Sequence, residues 1–499
     1  MKKYALILIC FLLSALLFCS CGQTSNPTPS GTSAPDNSST VNGSDSGNIG
    51  DTPEFETDEN GYVKDSIPEL DYGNENFTII GWTEGYLDFD GTSESVDTIG
   101  KATYSRNTKV QDRLNINLKF DTSVKGANAD RYEYIATVEN AMKTGQPYDL
   151  IACYSMNAAN LAVDGFLSDL EQYPMLELNK PWWSSSIQEG CRLNNQIYFA
   201  SGSISTNNIY ETMIIVLNLE KMNAAGISDP RYLVQDMEWT MEKFYEMCSN
   251  VSIDHNEDGK DPSDTFGFIM EGSVYGDAFL TSNGLHYLET DENGKLIIAE
   301  DFKSEKIFNL VQQLCQKFAS ADYWYVLDGN YSNIFYENRA LFMGTNFNVL
   351  RSIRDKITFN YGYLPFPMAD TAQGAYYSTC GFPYSMYGIP SNAKDGNRSA
   401  YVMECLASES YRIIQPTIFD SIKYQYSDDP LNAEMFDTII ESKTYDFGRL
   451  FHNIFDWSDS PVAIFRESLY NNNPEFYSTL EKHEAAILDA LKSVNDQFN

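Results

Sequence analysis

The sequence is poor in histidine and in basic side chains. It has 4 histidines, and 34 lysines and arginines stand against 70 aspartates and glutamates, which gives a formal net charge of −36. So few dispersed imidazoles disfavour a histidine-based metal or acid–base centre. The acidic excess argues against binding to nucleic acid or to an anionic membrane surface, because both repel a negatively charged protein. It argues only weakly against an anionic ligand, because a local basic pocket can override the average.

The motifs of several enzyme classes are also missing. The chain contains no G-x-S-x-G nucleophile turn, no G-x-G-x-x-G and no phosphate-binding P-loop, and His483-Glu484 lacks the second histidine of a zinc-protease helix. A glycosidase needs only two suitably separated carboxylates, so this acidic chain leaves that class open. Nothing couples any acid to a nucleophile. We expect a protein that is not an enzyme, with an extracellular glycan-processing enzyme as the less favoured alternative.

Long apolar runs are absent after the amino terminus, so we expect a soluble body. Lys2 and Lys3 precede the apolar run from residue 4 to 18, which is typical of an export signal and short for a membrane span. The small residue Ser20, directly before Cys21, resembles the bacterial lipobox. The resemblance implies a signal peptide over residues 1–20, lipidation of Cys21 and a place on the extracellular face of the bacterial cell membrane.

Two alternatives for this leader stay open. Phe18 stands where the lipobox prefers leucine, so cleavage before Cys19 is one alternative. The other is an ordinary cleaved signal peptide in which Cys21 is incidental. If the cysteine is lipidated, several acyl chains hold the protein firmly, whereas one chain alone binds a membrane only marginally.

Large apolar side chains are almost absent from the segment that follows. Between Gln23 and about Tyr62, serine, threonine, glycine, proline, asparagine and aspartate dominate. Such a composition cannot bury enough surface to offset the entropy of ordering. We therefore expect residues 21–70 to form a disordered tether, which as a flexible coil of about 45 residues reaches roughly 40 Å.

The cysteines show no C-x-x-C or zinc-like spacing. Beyond the leader, six are scattered through the chain: Cys153, Cys191, Cys248, Cys315, Cys380 and Cys405. Several lie within apolar helical patterns, so we expect small buried hydrophobic residues. Disulfides are the alternative outside the cell, although no pairing follows from the spacing.

The body of about 430 residues is too large for one ordinary core, which predicts two lobes. Aromatic residues make up 14% of the chain, and 33 of them are tyrosines. Tyrosine and tryptophan combine a flat apolar face with a polar tip, and a sugar ring, with its C–H face and hydroxyl rim, fits that combination. The composition therefore favours a carbohydrate ligand.

One stretch has the pattern of a ligand-binding corner. Residues 150–153 form a short apolar run of one buried strand, and Tyr154, Ser155 and Asn157 follow it. Ligands of open α/β sheets bind at the carboxyl ends of strands, so we expect these side chains in a cleft. Asn157 is predicted to cap a following helix. The paired indoles of residues 182–183 are predicted to line the same cleft.

This stretch and a series of later segments resemble the extracellular solute-binding proteins of bacterial ABC importers, in the branch that mostly binds oligosaccharides. The matching segments run in family order over about residues 75 to 490: 148–170, 196–202, 213–218, 238–244, 265–269, 335–344, 359–367, 376–382 and 386–390. The resemblance implies a periplasmic-binding-protein-like α/β fold of type II. Two α/β lobes are then joined by a hinge, with about three crossings of the chain.

The resemblance also implies boundaries and partners. We expect residues 71–205 with 340–385 in the first lobe, residues 206–339 with 386–499 in the second, and a hinge near Gly202–Asn208. The expected function is capture of an oligosaccharide and its delivery to a membrane permease, by a monomer that needs no cofactor. A receptor for a peptide or another polar solute, and a sugar sensor that feeds a signalling kinase, are the alternatives.

The ligand-contact candidates are aromatic and polar residues at predicted strand ends and loops. They are Trp82, Tyr154, Ser155, Asn157, Trp182, Trp183, Trp324, Tyr376, Tyr377 and Phe382, with Trp457 as one further aromatic. Each of them has a packing role as its alternative.

One acidic loop resembles the first half of a calcium-binding EF-hand loop. Oxygen ligands at its first, third and fifth positions precede a glycine for the sharp turn. The twelfth position is Thr265 instead of an acid, and an aspartate stands one place early. A structural calcium site and a solvated acidic turn both stay open. The candidate ligands are Asp254, Asn256, Asp258, Lys260 through its carbonyl, and Asp264.

Overall fold

The computed structural model describes residues 55–145, 148–272, 274–327, 329–425 and 429–498. The predicted signal peptide, the lipidation site Cys21 and most of the predicted tether lie outside these residues. Among the helices of the described part, none has both the length and the apolar character needed to cross a membrane.

The strands and helices alternate along the chain, as in α/β proteins. The strands are β1 Glu75–Ile80, β2 Ile116–Asp121, β3 Leu150–Tyr154, β4 Met213–Asn218, β5 Phe266–Glu271, β6 Leu288–Thr290, β7 Leu296–Ile298, β8 Trp324–Leu327, β9 Ala340–Asn346, β10 Tyr361–Leu364 and β11 Ser385–Gly388. The α-helices are α1 Tyr86–Phe89, α2 Thr98–Leu114, α3 Arg131–Lys143, α4 Ser155–Val163, α5 Ser185–Gly190, α6 Asn207–Tyr210, α7 Leu219–Ala224, α8 Pro230–Gln235, α9 Met241–Ser249, α10 Gly276–Ser282, α11 Glu305–Ser320, α12 Ser332–Tyr336, α13 Phe347–Ile353, α14 Gly396–Asp420, α15 Pro430–Glu441, α16 Phe447–Leu450, α17 Pro461–Tyr470 and α18 Phe476–Gln497. Short 3-10 turns lie at Thr83–Gly85, Asn128–Asp130, Leu170–Gln172, Glu300–Lys303, Arg354–Lys356, Thr371–Gln373, His452–Ile454 and Trp457–Asp459, and a π-helical turn at Ser421–Gln425.

The first half of the body is built on a four-stranded sheet in the order β11-β3-β1-β2. β1 is parallel to β2 and β3, and β11 is antiparallel to β3. β3 is buried at every residue, which its continuous apolar sequence predicts. The carboxyl ends of β1, β2 and β3 therefore meet at one edge, where the loops that follow them gather.

The second half is built on a five-stranded sheet in the order β10-β4-β9-β5-β8. β5 is parallel to β8 and β9, whereas β4 is antiparallel to β9 and β10. An aromatic cluster of Phe244, Phe268, Phe279 and Trp324 packs one face of this sheet. A separate two-stranded sheet joins β6 and β7.

The strand pairing differs from the expected division of the chain between lobes. Residues 340–385 were expected in the first lobe, yet β9 and β10 pair with β4 in the second sheet. Residues 386–499 were expected in the second lobe, yet β11 pairs with β3 and α14 packs against α2, both in the first half. These strands are uniform apolar runs, so their sequence carries no signal for the partner to which they hydrogen-bond.

The chain passes between the two sheets three times, as expected. Residues 201–212 form the first crossing and lead into β4, and residues 365–384 form the second crossing, from β10 to β11. The third starts at the π-helical turn, between α14 on the first half and α15 packed on β10. An isolated bridge between Thr212 and Cys380 joins the first two crossings.

The end of the predicted tether is ordered. Val63 and Ile67 pack against the core, and the buried carboxylate of Asp65 accepts a hydrogen bond from Arg113. Although burial opposes it, the Arg113 guanidinium holds the pKa of Asp65 far below its usual range. The expectation of disorder is therefore wrong for residues 55–70, because two apolar side chains and an ion pair anchor a segment whose composition is otherwise polar.

The six cysteines of the body are free and buried. The prediction that they act as small hydrophobic residues is confirmed. Residues 196–202, one of the segments that carry the resemblance, form only isolated bridges, including one between Ala200 and Tyr387.

Candidate functional site

The corner after β3 gathers five of the predicted contact residues: Trp82, Tyr154, Ser155, Asn157 and Phe382. The ring of Tyr154 meets the edge of Trp82, with centroids 5.4 Å apart and planes at 72°. The Ser155 hydroxyl donates to the Phe382 carbonyl at 2.6 Å, which links this corner to the second crossing. The Trp82 indole N–H donates to Ser385 Oγ at 3.0 Å. The side chains are buried, so Trp82 and Ser155 mainly hold the corner together.

Asn157 does not cap α4, which was the expected role. The helix begins two residues earlier, at Ser155, and the residue at its cap, Tyr154, makes no side-chain cap bond. Asn157 lies in the first turn, and its Nδ2 donates to the Gly126 carbonyl at 3.1 Å. Its Oδ1 is buried and has no hydrogen-bond partner. An unpaired buried acceptor costs about 1–3 kcal/mol, so this oxygen is suited to a ligand donor.

Residues of the second half face this corner, because α4 packs against α16 and the turn His452–Ile454. The Arg449 guanidinium lies over the Phe382 ring at 4.4 Å and donates through Nη1 to Thr379 Oγ1 at 2.7 Å. Its Nη2 is buried without a partner, and so are both amide atoms of Asn453. We call Tyr154, Asn157, Phe382, Arg449 and Asn453 the junction site.

The Arg449 side chain is fixed from behind by a buried carboxylate. Asp277 accepts from Arg449 Nε at 2.9 Å and from Arg466 Nε at 2.9 Å. Although burial opposes it, the Arg466 charge keeps the pKa of Asp277 low, so the group is ionised. Burial, together with the positive charge of Arg466, lowers the pKa of His452 to about 4. This imidazole is therefore neutral at pH 7 and is a poor proton donor.

A buried acid lies at the end of the first crossing. Glu211 accepts from Asn348 Nδ2 at 2.9 Å and from Asn346 Nδ2 at 2.8 Å, and burial raises its pKa to about 7. Burial also raises the pKa of Tyr154, on which the charges of Arg449 and Glu211 act as well. Glu211 therefore lies near the junction site and is able to exchange a hydrogen bond with a hydroxyl.

Two exposed rings flank the junction from opposite halves. Trp457 is 55% exposed, and its ring lies 4.9 Å from that of His452. Tyr132, at the start of α3 in the first half, is 57% exposed and lies beneath the Arg131 guanidinium at 4.6 Å. Trp457 lies beside the turn His452–Ile454, and both this turn and α3, which begins at Arg131, pack against α4.

The paired tryptophans lie elsewhere. The Trp182 and Trp183 indole N–H groups each donate to one oxygen of Glu404 on α14, both at 2.9 Å. Both rings are buried and line a cavity whose walls include none of the junction-site residues. The sequence did not show that this pair of tryptophans lies away from the corner after β3, because the local pattern of the two segments is similar.

Three more predicted contact residues are not joined to the corner. Trp324 is buried in the aromatic cluster of the second sheet, 4.8 Å from Phe268. The Tyr376 hydroxyl accepts from the Trp239 backbone N–H at 3.3 Å. Tyr377 is partly exposed and covers Gly284. All three serve packing within the second half.

The acidic loop is organised around its own backbone. Asp254 accepts hydrogen bonds from the N–H groups of Asn256, Glu257 and Gly259, and Asp264 accepts from His255. Across the described residues, no group of three or more histidine, cysteine, aspartate or glutamate side chains is arranged to hold a metal ion. The calcium interpretation therefore finds no support, since the two carboxylates cap turns.

The residues of the candidate site that the sequence did not reveal are Glu211, Arg449 and Asn453. One signal was present for their neighbours. Asn346 ends the buried strand β9 and Asn348 follows it, just as Tyr154 ends β3 and Asn157 follows it. The same rule of polar residues at a strand end would have found them. Arg449 lies in a helical segment with no such signal.

No protein-family model and no curated protein matches the chain. Solved structures do. An ABC substrate-binding protein from Listeria monocytogenes in complex with cycloalternan has a TM-score of 0.50 and 11% identity, over 85% of this chain and 99% of that one. A cyclo/maltodextrin-binding protein complexed with maltotetraose has a TM-score of 0.52 and 10% identity, over 85% and 97%.

The chain has the fold of ABC substrate-binding proteins. UgpB from Mycobacterium tuberculosis, in complex with glycerophosphocholine, extends the match with a TM-score of 0.52 and 13% identity over 83% of this chain and 98% of that one. The predicted α/β fold of periplasmic-binding-protein type is thereby confirmed. At these identities the likeness concerns the fold alone.

Proposed function

We propose that the chain is the substrate-binding component of an ABC importer and that it binds an oligosaccharide at the junction site. The observation that supports this most is the set of buried polar atoms without partners, contributed by both halves. Asn157 Oδ1 is a free acceptor, Arg449 Nη2 is a free donor, and the side-chain amide of Asn453 offers one free acceptor and one free donor group. Sugar hydroxyls both donate and accept, so a chain of them satisfies all three residues at once.

Binding closes the two halves around the ligand. A ligand that contacts α4 of the first half and α16 of the second gains contacts in the closed form that the open form lacks. Only such a difference in affinity shifts the population of the two forms. A micromolar dissociation constant requires about −8 kcal/mol. Stacking on Trp457 and Tyr132, with several hydrogen bonds of about 1 kcal/mol each, supplies energy of that order.

The place of the protein in the cell follows from its amino-terminal pattern. Lipidation of Cys21 holds a monomer on the extracellular face of the membrane, where the closed form docks to the permease. In this proposal the chain needs no cofactor. Domain closure, rather than chemistry on the sugar, is the functional event.

Another polar solute is the second candidate. The fold match to a protein that holds glycerophosphocholine, together with the unpaired Arg449 Nη2, favours it. A guanidinium suits a phosphate oxygen as well as it suits a hydroxyl.

A thermal-shift screen of the mature chain separates these candidates. The panel contains linear and cyclic glucose oligosaccharides, other glycans, short peptides and glycerophosphocholine. A ligand at 100 times its dissociation constant stabilises the folded state by about 2.7 kcal/mol. A shift with an oligosaccharide that is recovered uncut supports the proposal. A shift with glycerophosphocholine or peptides alone selects the second candidate, and cleaved glycan selects an enzyme.

A further inference from the structure

The cavity that Trp182 and Trp183 line lies beside the first crossing, apart from the junction site. It has a volume of about 210 Å³ and is lined mainly by polar side chains. We call it the hinge cavity. Its lining includes Trp183, Ser185, Ser203, Asn208, Gln415 and Lys443.

Each wall of the hinge cavity belongs to a different part of the hinge. Residues 181–186 are fixed to the first half through the hydrogen bonds from the paired indoles to Glu404. Residues 202–209 are the first crossing. Residues 440–443 end α15, which packs on β10 of the second half. The shape of the cavity therefore depends on how the two halves are oriented.

Lys443 brings an uncompensated positive charge to this cavity. Its ammonium donates to the Asn208 backbone carbonyl at 3.1 Å and to the Asn208 side-chain oxygen, and both partners are neutral. No carboxylate in the described part of the chain lies within ion-pair distance of it. An ammonium held away from water without a counter-ion is costly, and burial accordingly lowers the pKa of Lys443.

The other polar groups of the cavity are compatible with an anion. The Ser184 hydroxyl lies 3.2 Å from that of Ser186, which donates to the Lys443 carbonyl at 3.4 Å. The hydroxyls of Ser184 and of the exposed Ser185 are able to turn their protons to an acceptor. Glu404, behind the two indoles, has a pKa raised by burial to about 8, so it carries little charge at pH 7. Glu441 is exposed, so water screens its charge.

We propose that the hinge cavity binds a small oxyanion-bearing molecule, a carboxylate or a phosphate, through Lys443 and the serine hydroxyls. Because its walls come from both halves and from the crossing, the bound anion makes different contacts in the open and closed forms. It therefore biases closure, and by linkage ligand binding at the junction site changes the affinity for the anion by the same factor. Anion binding at Lys443 does not depend on the identity of the transported solute.

Calorimetry and thermal shift of the mature chain with inorganic phosphate and with acetate, at ionic strength held constant with potassium chloride, test the site. We expect one or both anions to bind and to raise the melting temperature. In Lys443→Met the anion affinity falls about tenfold or more, because a charge-assisted hydrogen bond is lost. Ser185→Glu, at an exposed position, places a carboxylate in the wall and gives a similar loss, whereas Ser105→Glu on exposed α2 leaves binding unchanged.

The outcome with Ser185→Glu keeps the test decisive if Lys443→Met fails to fold. Absence of heat and shift with both anions, or equal affinity in wild type and in Ser185→Glu, overturns the site. Phosphate binding without acetate binding, or the reverse, identifies which oxyanion the site takes. Small-angle scattering with and without the bound anion then tests whether anion binding is coupled to closure. A change in the radius of gyration supports this coupling, and identical curves overturn it.

Discussion

Glu404 shows how one buried carboxyl couples packing to pH. It accepts from two indole N–H groups, and burial raises its pKa from 4.5 to about 8. Between these two pH values the folded protein keeps a proton on Glu404 that the unfolded chain has released. The free energy of unfolding therefore falls as the pH rises through this window, and the loss saturates above pH 8.

The first prediction is that Glu404→Gln makes the fall of the melting temperature between pH 5 and pH 8 shallower. Glutamine cannot ionise, although it offers one acceptor oxygen to two indoles, so the variant is less stable than wild type at pH 5. Melting curves across this range measure both effects. Glu481→Gln, at an exposed position on α18, keeps the slope of wild type. An unchanged slope in Glu404→Gln would show that Glu404 is ionised in the folded protein.

The second prediction concerns the exposed ring at the junction. Trp457→Ala should weaken oligosaccharide binding by about tenfold, because packing of a sugar ring's C–H face on the indole is expected to be worth about as much as an aromatic pair, about 0.5–1.5 kcal/mol. The variant should fold normally, since the ring is exposed and its indole bonds only to Glu467. Titration calorimetry with the glycan found in the panel measures it.

Tyr232→Ala is the matched control, because Tyr232 is 55% exposed on α8 and is not part of the junction site. It should bind like wild type. Equal affinities in the Trp457 and Tyr232 variants would remove Trp457 from the ligand site.

For single residues, the sequence indicates which side-chain types are available for ligand binding. It does not indicate which of several tryptophans is exposed to a ligand. Trp82, Trp182, Trp183 and Trp324 were candidates because of their type, and all of them are buried. Trp457 stands out through its exposure, which depends on packing from distant segments. The corner at Tyr154 was predictable because its position after a buried strand is a local signal.

Close packing of α9 against β5 shows what sets the elements in place. Gly267 lies in β5, and a Cβ built on it would lie 2.1 Å from the Cys248 backbone oxygen on α9. Backbone atoms cannot turn aside, so the helix and the strand would have to separate. The aromatic cluster that packs around Phe268 depends on the same spacing.

The third prediction is that Gly267→Ala destabilises the protein by about 1–3 kcal/mol, the usual cost of overpacking. Urea denaturation of the ligand-free protein measures it. Gly190→Ala is the control, because its added Cβ meets only the Tyr445 oxygen at 3.5 Å, an ordinary contact. Equal stabilities of the two variants would mean that α9 and β5 tolerate more space than the structure shows.

The bounds of a strand were easier to predict from the sequence than the strand to which it hydrogen-bonds. β3 was predicted within one residue, because a continuous apolar run followed by polar residues is a local signal. The assignment of β9, β10 and β11 to sheets failed, because hydrogen-bond partners are chosen over hundreds of residues. The order of residues 55–70 depended on contacts with α2, which composition does not record.

For the whole molecule, two sheets joined by three crossings allow the halves to move about the hinge, and the junction site takes residues from each of them. Buried polar atoms without partners are costly in a resting structure. The unpaired atoms of the junction site are accounted for if a ligand forms hydrogen bonds with them when the halves close around it. The two-lobe architecture was predictable from the length of the chain. The set of residues that form the junction site was not, because they come from distant segments.

Small-angle scattering of the mature chain with and without a bound oligosaccharide tests this closure most directly. We predict that the radius of gyration decreases when the glycan with the largest thermal shift is added, and that Trp457→Ala requires a higher glycan concentration for the same decrease. Scattering curves that are the same with and without every oligosaccharide of the panel would contradict it.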